Sequence, residues 1–512
     1  MVYGLVANAA ERPDHPALVC GPREITFGAL DRLVNRVAHA LRDRGLGAGG
    51  RVAVMLPNSI EWFAVSQAAA KLAALAVPIN TRFKRDEIAY LLADSSADAL
   101  VFDAAYLSDV APALAAAARP VRERCLVVGA ADGFPGFADA LAAAPDGPPT
   151  AEERETGYNL MIYTSGTTGR PKGIVRRGFD ARASFEAHKR LVQMWGFGPD
   201  DVHLMVGPAY HTLPSAYVLQ HLFVGATSVL MPKFDAEECL RLIATRRVTT
   251  SGMVPAHFIR ILELPDAVRA RYDLSSLQKV MHAAAPCPAP VKRRIMEVFP
   301  PDSVWEFYGA TEGPGTIISP GEWRAHPGSV GRPWPGVDVK VVRDDGTPCA
   351  PGEVGTIYLS TSAGGFEYHN APDKTASAFR DGFFTVGDLG YLDADGYLYI
   401  ADRKADMVIS GGVNIYPAEV ESALAAHPDV IDAAVFGVPD ERWGESLRAV
   451  VEPRKGSALD EPTLRAWCRE TLADFKCPRT FELVAELPRD PNGKVLKRQL
   501  REPFWTGRDR RV

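Results

Sequence analysis

Apolar residues near the start of the chain alternate between a helical spacing and short β-branched runs. Residues 25–46 carry leucines and valines three or four positions apart, which predicts an amphipathic helix, and the run RVAVML at 51–56 predicts a buried strand. The two patterns then recur, with helices expected from Glu61 and from Arg85 and strands at 76–79 and 99–102. This alternation predicts an α/β fold of layered helices and parallel strands.

The pattern changes in the middle of the chain. Residues 143–157 are rich in proline, glycine and charge, which predicts an exposed connection before a strand at 159–163. From about 330 to 400, glycine and aspartate turns separate short alternating runs. We therefore expect an antiparallel, barrel-like subdomain in this part of a large N-terminal domain.

A second change follows Arg403 and predicts a separate, smaller α+β domain. Its expected elements are a helix at 418–426, a strand at 431–438, a helix at 463–472 and further strands after Phe475. We place the domain boundary between residues 402 and 403, so that the N-terminal domain is 1–402 and the C-terminal domain is 403–512.

Composition and charge exclude several classes of protein. With 512 residues, 47% of them hydrophobic and 23% charged, the chain is longer than one hydrophobic core usually organises. The net charge of -6 and the even spread of basic residues argue against nucleic acid as a partner. The seven cysteines occur singly, which favours free thiols in a reducing cytosol over disulfides or a metal site.

The termini and the most apolar stretch point to a cytoplasmic protein. Glu11, Arg12 and Asp14 stand where a signal peptide would need an apolar run. The stretch at 63–79 is interrupted by polar residues and falls short of the roughly 20 residues that cross a bilayer. No transmembrane segment is predicted.

A loop dense in glycine, hydroxyl and cationic residues follows the strand expected at 159–163. It reads YTSGTTGRPKG over residues 163–173. Glycines let backbone N–H groups approach an anion, hydroxyls donate further hydrogen bonds, and Lys172 supplies positive charge. The order differs from a Walker A loop because no serine or threonine follows the lysine. The composition therefore predicts a polyphosphate-binding loop of another type.

Two downstream motifs fit the rest of a nucleotide. In YGATEG at 308–313, the Tyr308 ring can stack on a base, the Thr311 hydroxyl can bond a phosphate oxygen, and the Glu312 carboxylate suits Mg2+. In HAAAP at 282–286, small side chains follow a predicted strand and leave its edge open to a flat base. Taken singly, the two motifs are also compatible with a capped turn and a strand end.

In this order, the motifs resemble those of the adenylate-forming superfamily, which contains acyl-CoA synthetases, adenylation domains of nonribosomal peptide synthetases and beetle luciferases. The resemblance covers nearly the whole chain, and the chain is identified as a member of the acyl-CoA synthetase group. It implies an AMP-binding N-terminal domain, a mobile C-terminal domain with a catalytic lysine, and ATP, Mg2+ and coenzyme A as cofactors.

The resemblance also assigns roles to matching positions. The catalytic residues would be Lys172, Thr311, Glu312 and Lys494, the last within PRDPNGK at 488–494. The nucleotide would be bound by Thr164, Ser165, Gly166, Thr167, Thr168, Gly169, Ala283, Ala284, Ala285, Tyr308, Gly309, Asp388 and Arg403. Coenzyme A would pass Gly411 and Gly412 beside Trp443 and Phe475, with Lys476 and Arg479 near its phosphates. The acid would contact Tyr210, His211, Ala283 and Gly309, and Mg2+ would be held by Glu312 and Thr167.

Two positions carry further expectations. Lys494 follows an Asn-Gly turn, so its side chain is expected to be exposed in the resting domain. At Ala405 the family commonly carries aspartate or lysine as the pivot of domain rotation, so the pivot chemistry of this chain stays open.

The expected function is that of an ATP-dependent carboxylic acid:CoA ligase. It would form an acyl-AMP and pyrophosphate, and then an acyl-CoA and AMP. Small residues around the acid indicate a medium or long acyl chain or a bulky cyclic apolar acid. The alternatives are an enzyme that loads a carrier protein, a luciferase-type oxygenase and a non-catalytic nucleotide sensor. A homodimer is compatible with the sequence.

Overall fold

The computed structural model describes residues 1–116, 121–149, 160–164, 171–176, 181–360, 365–490 and 493–506. The chain divides into two compact units. The first comprises Met1–Gly252, Tyr272–Leu277 and Ala363–Ser377, and the second comprises Met253–Arg271, Gln278–Ser362 and Ala378–Val512. Across the described ranges, no helix is long and apolar enough to span a membrane.

The strands follow one another along the chain as β1 (Pro16–Cys20), β2 (Arg23–Thr26), β3 (Arg51–Met55), β4 (Leu75–Pro78), β5 (Ala99–Asp103), β6 (Cys125–Val128), β7 (Ile162–Thr164), β8 (Lys172–Arg176), β9 (Val202–Met205), β10 (Thr227–Leu230), β11 (Thr250–Met253), β12 (Lys279–His282), β13 (Val304–Ala310), β14 (Gly313–Ile318), β15 (Arg332–Pro333), β16 (Val339–Val342), β17 (Gly355–Ser360), β18 (Phe366–Tyr368), β19 (Phe379–Arg380), β20 (Phe383–Phe384), β21 (Asp388–Leu392), β22 (Leu398–Arg403), β23 (Val408–Ser410), β24 (Val413–Ile415), β25 (Val430–Asp440), β26 (Gly444–Pro453) and β27 (Thr480–Leu483).

The α-helices are α1 (Leu5–Glu11), α2 (Phe27–Arg42), α3 (Ile60–Lys71), α4 (Arg85–Asp94), α5 (Leu107–Ala116), α6 (Phe137–Ala142), α7 (Ala181–Trp195), α8 (Thr212–Val224), α9 (Ala236–Arg246), α10 (Pro255–Glu263), α11 (Asp266–Arg269), α12 (Ala289–Val298), α13 (Pro320–Ala325), α14 (Pro372–Ala378), α15 (Pro417–Ala425), α16 (Glu461–Thr471) and α17 (Lys497–Trp505). Single 3-10 turns occur at Ala104–Tyr106, Val121–Arg124 and Asp474–Lys476.

The first unit is built on parallel strands, as the alternating pattern predicts. One sheet has the order β4-β3-β5-β6 with all pairs parallel. A second run has the order β11-β9-β10-β1-β2, in which only the β1–β2 pair is antiparallel. A small antiparallel sheet, β18-β8-β7, joins residues that are far apart in sequence.

The helices of the first unit pack where their apolar faces require. Helix α2 presents Leu30, Val34 and Leu41 to a fully buried core, and the Thr26 hydroxyl caps its first turn. The predicted helix from residue 25 begins two residues late because Thr26 keeps the extended backbone of an N-cap. The apolar stretch at 63–79 is confirmed as a core helix that leads into strand β4.

The second unit contains three sheets. Strands β12 and β13 are parallel, and β13, β14 and β15 continue in antiparallel order. The segment from about 330 to 400 forms an antiparallel sheet with the order β19-β20-β17-β21-β22, with β16 also paired to β17, as its turn pattern predicts. The C-terminal segment forms the order β24-β23-β26-β25, with β27 parallel to β26.

The C-terminal segment has a core of its own. Helices α15 and α16 cover the long β25–β26 hairpin, and Val420, Leu424, Val435 and Leu464 are buried between them. The elements α15, β25 and α16 lie within one or two residues of the expected positions, and β27 follows Phe475 as expected. Strands β23, β24 and β26 and helix α17 were not predicted. The fold class predicted from the sequence is confirmed, and the boundary at 402/403 stays a prediction.

Candidate functional site

The predicted phosphate loop begins and ends on a hairpin in the first unit. Strands β7 and β8 pair so that Thr164 lies opposite Lys172. Residues Ser165, Gly166, Thr167, Thr168 and Gly169 lie outside the described residues, so their predicted contacts stay predictions. At the base of the hairpin, a Cβ at Gly173 would lie 2.4 Å from the Met161 methyl and 3.0 Å from the Tyr163 ring. Glycine at 173 is therefore required for the two strands to pack.

A second lysine accompanies Lys172. The Lys374 ammonium, on helix α14, is a neighbour of the Lys172 ammonium, and the two positive charges act on one another. Burial, followed by the positive charge of Lys374, lowers the pKa of Lys172 to about 8. The sequence analysis did not assign Lys374 any role.

Tyr210 and His211, the residues expected near the acid, end the loop between β9 and α8. Tyr210 is buried, its ring lies 4.8 Å from the His211 ring, and His211 is the N-cap residue of α8. Buried Asn58 holds this loop: its Oδ1 accepts from the Ala209 N–H at 2.8 Å, and its Nδ2 donates to the Gly207 carbonyl at 3.0 Å. No pattern along the chain singles out Asn58, because a single asparagine before a helix is ordinary.

In the second unit, three of the predicted nucleotide ligands converge. Strands β21 and β22 pair Asp388 with Arg403, and the Arg403 Nε lies 3.6 Å from Asp388 Oδ1. The Tyr308 hydroxyl donates to Asp388 Oδ2 at 2.7 Å. Burial, with the adjacent Asp388 carboxylate, holds the pKa of Tyr308 well above its usual range, so the phenol stays a donor.

The predicted metal ligand lies at the turn between β13 and β14. Glu312 is buried, and its charge contributes to the raised pKa of Tyr308, so the two side chains are neighbours. A carboxylate oxygen is a donor that Mg2+ accepts, so Glu312 could hold the ion, and this role stays a prediction. A Cβ at Gly309 would lie 2.9 Å from the Gly313 carbonyl oxygen. Gly309 is therefore needed for this hairpin to form.

The loop from Ala283 to Pro288 joins β12 to α12 and carries the three predicted base-lining alanines. Ala283 is buried, and Ala284 adopts φ +73°, a left-handed conformation that is unusual for a residue other than glycine. The thiol of Cys287 in the same loop donates weakly to the Pro288 carbonyl at 3.9 Å. Burial, and then the Glu306 carboxylate, raises the pKa of this thiol.

A buried ion pair lies beneath this loop. The Lys292 ammonium on α12 donates to the Glu306 carboxylate on β13, and both side chains are buried. The same ammonium lies 4.8 Å from the centre of the Trp323 ring. His282 Nε2 lies 3.5 Å from the Glu306 carboxylate, and burial lowers the pKa of His282 well below its usual value. His282 is therefore neutral, and Lys292 is the counter-charge of Glu306.

Lys494 lies on a tight turn that is fixed at both ends. Its N–H donates to Asp490 Oδ1 at 2.9 Å, its carbonyl accepts from the Asp490 N–H at 2.8 Å, and Gly493 has φ +81°. Arg489 anchors the turn through Asp432 at 2.8 Å and Glu452 at 3.3 Å. The expectation that Lys494 is exposed is wrong, because the turn packs against helix α10 and leaves the side chain partly buried.

The charges of Asp388 and Arg403 act on the Lys494 ammonium. Burial, followed by the positive charge of Arg403, lowers the pKa of Lys494 to about 8, while Asp490, Asp406 and Asp388 act in the opposite direction. Lys494 also lines a small cavity of about 40 Å3. The cavity is bounded by Val254, Pro255, Ala256, Ala284, Ala285, Asp490 and Gly493. The structure thus brings Ala284, Ala285 and Lys494 to one cavity, and their assigned roles stay predictions.

The glycines expected on the thiol path form the turn between β23 and β24. Gly411 has φ +58° and Gly412 has φ +82°. A Cβ at Gly411 would lie 2.7 Å from the Trp443 indole, whereas a Cβ at Gly412 would meet nothing within 4 Å. Trp443 lies between two cations, with Arg442 at 4.7 Å and Arg479 at 5.5 Å from its ring. Gly411 thus packs on the indole, and Gly412 faces open space.

Phe475 and Lys476, also expected beside coenzyme A, lie on the 3-10 turn at Asp474–Lys476. The Phe475 side chain is exposed, which is unusual for so large an apolar group. The Lys476 ammonium is held by Glu419 at 2.7 Å. The predicted phosphate contact of Lys476 would therefore compete with an existing ion pair.

Charged side chains surround the predicted pivot at Ala405. Arg501 of α17 pairs with Asp406 at 2.9 Å, and the Ala418 N–H of α15 donates to Asp402 Oδ2 at 2.9 Å. One turn earlier on α17, Lys497 pairs with Glu421 at 2.6 Å. The backbone on both sides of Ala405 is therefore anchored by neighbouring ion pairs and not by the side chain at 405.

Comparison with known proteins places the whole chain in one family. A family model described as AMP-binding enzyme matches residues 5–367, and one described as AMP-binding enzyme C-terminal domain matches residues 419–494. The chain is 34% identical to the fatty acid–[acyl-carrier-protein] ligase ScoC of Streptomyces coeruleorubidus, over 99% of this chain and 96% of that protein.

Two further curated relatives are similar over nearly their full length. The long-chain-fatty-acid–CoA ligase FadD13 of Mycobacterium tuberculosis is 34% identical over 94% of this chain and 93% of that protein. The feruloyl-CoA synthase of an Amycolatopsis species is 36% identical over 98% of each.

Solved structures share the fold. The anthranilate CoA ligase AuaEII in complex with anthranoyl-AMP has a TM-score of 0.88 at 28% identity, covering 98% of this chain and 97% of that one. ATP-bound MatB from Rhodopseudomonas palustris has a TM-score of 0.85 at 32% identity, covering 98% and 99%.

Proposed function

Because the chain belongs to the AMP-binding enzyme family and is an AMP-forming acid–thiol ligase, we propose that it joins an apolar carboxylic acid to coenzyme A through an acyl-adenylate. The observation that carries the proposal is the convergence of Lys494 with Asp388 and Arg403 beside the Ala284–Ala285 cavity. A cation, a paired carboxylate and a surface of small side chains are what an adenylate requires.

In the first half-reaction, a carboxylate oxygen of the acid bonds to the α-phosphorus of ATP while the bond to pyrophosphate breaks. The Lys494 ammonium neutralises the charge that grows between the carboxylate and the α-phosphate. Asp388, oriented by Tyr308 and Arg403, accepts hydrogen bonds from the ribose hydroxyls. Glu312 and Thr167 would hold Mg2+, which neutralises charge on the phosphate oxygens when bound.

In the second half-reaction, the thiol sulfur attacks the acyl carbon, the carbon–oxygen bond to AMP breaks, and the thiol proton leaves to solvent. Gly412 offers open space for the pantetheine arm, and Arg442 and Arg479 at Trp443 offer positive charge for its phosphates. We place the small domain at 403–512 and assign Lys494 to the first half-reaction only.

The acid is proposed to be a medium- or long-chain acid or a bulky cyclic apolar acid. Ala283, Ala284 and Gly309 have no side chain larger than a methyl group to oppose a bulky acyl group. Tyr210 and His211 are proposed as further contacts of the acid from the resemblance to acyl-CoA synthetases. Relatives named for long-chain fatty acids and for feruloyl-CoA are compatible with both classes.

The proposal is tested by measuring products across a panel of carboxylic acids, with ATP and Mg2+, in the presence and absence of coenzyme A. With coenzyme A we expect AMP, pyrophosphate and acyl-CoA in equal amounts, and without it pyrophosphate and acyl-AMP. The preferred acids should be apolar, with a clear preference over acetate. A preparation that yields ADP and phosphate would contradict the mechanism.

A second candidate function is transfer of the acyl group to a carrier protein. It is favoured by one observation, the similarity to a relative named as a fatty acid–[acyl-carrier-protein] ligase. The same assay, with a phosphopantetheine-bearing carrier protein in place of coenzyme A, distinguishes the two acceptors. Faster transfer to the carrier at equal thiol concentration would favour this second function.

Replacing Gly412 by leucine should separate the two half-reactions. A Cβ at 412 meets no atom within 4 Å, and a leucine side chain would fill the space proposed for the pantetheine arm. Thioester formation should therefore fall about tenfold or more while adenylate formation changes little. Because φ +82° strains any residue other than glycine, Gly412→Ala is the matched control for strain without bulk. Equal loss of both half-reactions in Gly412→Leu would show that the glycine is only structural.

A further inference from the structure

Strand pairing brings Lys374 to Lys172 across a large sequence separation. Strand β18 pairs with β8 so that Tyr368 lies opposite Ile174, and the His369 N–H donates to the Gly173 carbonyl at 2.8 Å. Helix α14 begins only a few residues later. Strand β8, which carries Lys172, pairs with β7 on one edge and with β18 on the other. Lys374 therefore approaches β8 from the β18 edge.

The position of Lys374 is fixed by its neighbours. The Thr375 hydroxyl accepts from the Tyr368 N–H at 3.0 Å and donates to the Ala371 carbonyl at 3.0 Å, which ties the first turn of α14 to β18. The Lys374 ammonium lies 5.3 Å from the centre of the Tyr368 ring. Such a cation–π contact holds an ammonium in place without neutralising its charge.

The two ammonium groups repel one another where they lie. Like charges that lie close together disfavour one another, and two protonated amines cannot hydrogen-bond to each other. Within the part of the chain that the structure describes, neither Lys172 nor Lys374 has a carboxylate partner. An anion with several oxygens between them would turn the repulsion into two charge-assisted hydrogen bonds.

We propose that Lys374 is a second phosphate-binding residue, and that it and Lys172 together hold the phosphoanhydride that leaves as pyrophosphate. The inference rests on the proposed function, in which ATP gives up pyrophosphate near the loop at 163–173. A pyrophosphate offers oxygens on two phosphorus atoms, so each lysine can bind one of them. The site would bind the triphosphate tail before the reaction and the leaving group during it.

The test uses the full-length enzyme and three variants. Lys374→Met removes the charge at similar length, and Lys374→Arg keeps it. Lys340→Met is the matched control, because Lys340 also lies over an aromatic ring, 3.7 Å from the centre of Phe383, and belongs to the other compact unit. Adenylation is followed as ATP–pyrophosphate exchange without coenzyme A, and thioester formation starts from prepared acyl-adenylate.

In Lys374→Met, the KM values for ATP and for pyrophosphate in the exchange should rise about tenfold or more, and Lys374→Arg should recover most of the loss. Thioester formation should be unchanged in every variant, and Lys340→Met should behave as the wild type. Inorganic pyrophosphate should also raise the Tm of the wild type more than that of Lys374→Met, which measures binding without turnover.

Three outcomes are decisive. If Lys374→Met shows the same exchange kinetics as the wild type and the same Tm shift with pyrophosphate, the inference is overturned. The two residues would then be ordinary solvated lysines. A raised KM for coenzyme A in place of ATP would assign the pair to the diphosphate of coenzyme A and also overturn it. Absence of exchange in the wild type, with every acid, would overturn the proposed function itself.

Discussion

Lys494→Ala should slow formation of the acyl-adenylate by roughly 10²- to 10³-fold, while thioester formation from prepared acyl-adenylate continues near the normal rate. The ammonium is partly buried and lies among Arg403, Asp388 and Asp490, so water cannot replace it when charge develops. Loss of one preorganised donor in such a site is worth about 3 to 4 kcal/mol of transition-state stabilisation. Both half-reactions should be measured in the same preparation.

The matched control is Lys455→Ala. Lys455 also lies at a glycine turn, before Gly456, but its side chain is exposed and away from the cavity. This variant should retain both half-reactions. An unchanged adenylation rate in Lys494→Ala, or equal damage to the thiol step, would remove Lys494 from its assigned role.

The pKa of Lys494 adds a dependence on pH. Because burial lowers that pKa to about 8, the free enzyme loses this charge as pH rises through about 8, and kcat/KM for ATP in adenylation should fall there. The decline should be shallower in Lys494→Ala, in which Lys172, whose pKa is also about 8, is left to titrate in this range.

The contribution of Lys494 to the free energy of unfolding changes with pH in the opposite direction from that of an ion-paired lysine. A lowered pKa means that the unfolded chain binds the proton more tightly, so the residue contributes more stability as pH rises from about 8 toward the ordinary lysine value. Near pH 7 the charged lysine is disfavoured in the fold, and Lys494→Ala should leave the Tm unchanged or slightly higher.

Lys292→Met should destabilise the second unit by about 3 to 5 kcal/mol, because it leaves the buried Glu306 carboxylate without its cation. The double variant Lys292→Met/Glu306→Gln should recover much of the loss, because it removes both charges and keeps similar volumes. The midpoint of denaturant unfolding, followed in the wild type and both variants, measures the difference. A double variant no more stable than the single one would contradict this account.

The loss of stability in Lys292→Met should also depend on pH. Burial already raises the pKa of Glu306, and removal of Lys292 raises it further. A carboxyl group with a raised pKa in the fold favours folding at low pH, and this contribution is lost as pH rises above the unfolded value. Lys292→Met should therefore be closest to the wild type near pH 5 and farthest from it near pH 8.

The pattern of apolar residues predicted much of the fold because local spacing determines it. The helices α2, α3 and α4 and the strands between them follow from periodicity, and the antiparallel segment from its turns. The pairing of β8 with β18 in the small antiparallel sheet could not be predicted, because it joins residues almost two hundred positions apart. Lys374 was missed for the same reason.

The candidate site was predicted where a motif is continuous in sequence. Tyr308, Glu312 and Ala284 stand in compact motifs, and the resemblance supplied Asp388, Arg403 and Lys494. The burial of Lys494 was predicted wrongly, because an Asn-Gly turn indicates a local conformation and not what packs on it. For Lys292 a signal existed: it lies between the buried positions Val291 and Ile295 on the apolar face of α12.

The state of Cys287 has a consequence for the fate of the acyl group. An acyl-adenylate is a strong acylating agent, and on the proposed function it forms beside the loop that carries this thiol. Only a thiolate would compete for it, and the raised pKa of Cys287 keeps the sulfur protonated and turned toward the Pro288 carbonyl. Acylation of the Cys287 thiol is therefore disfavoured, which leaves the activated acid available to an incoming thiol.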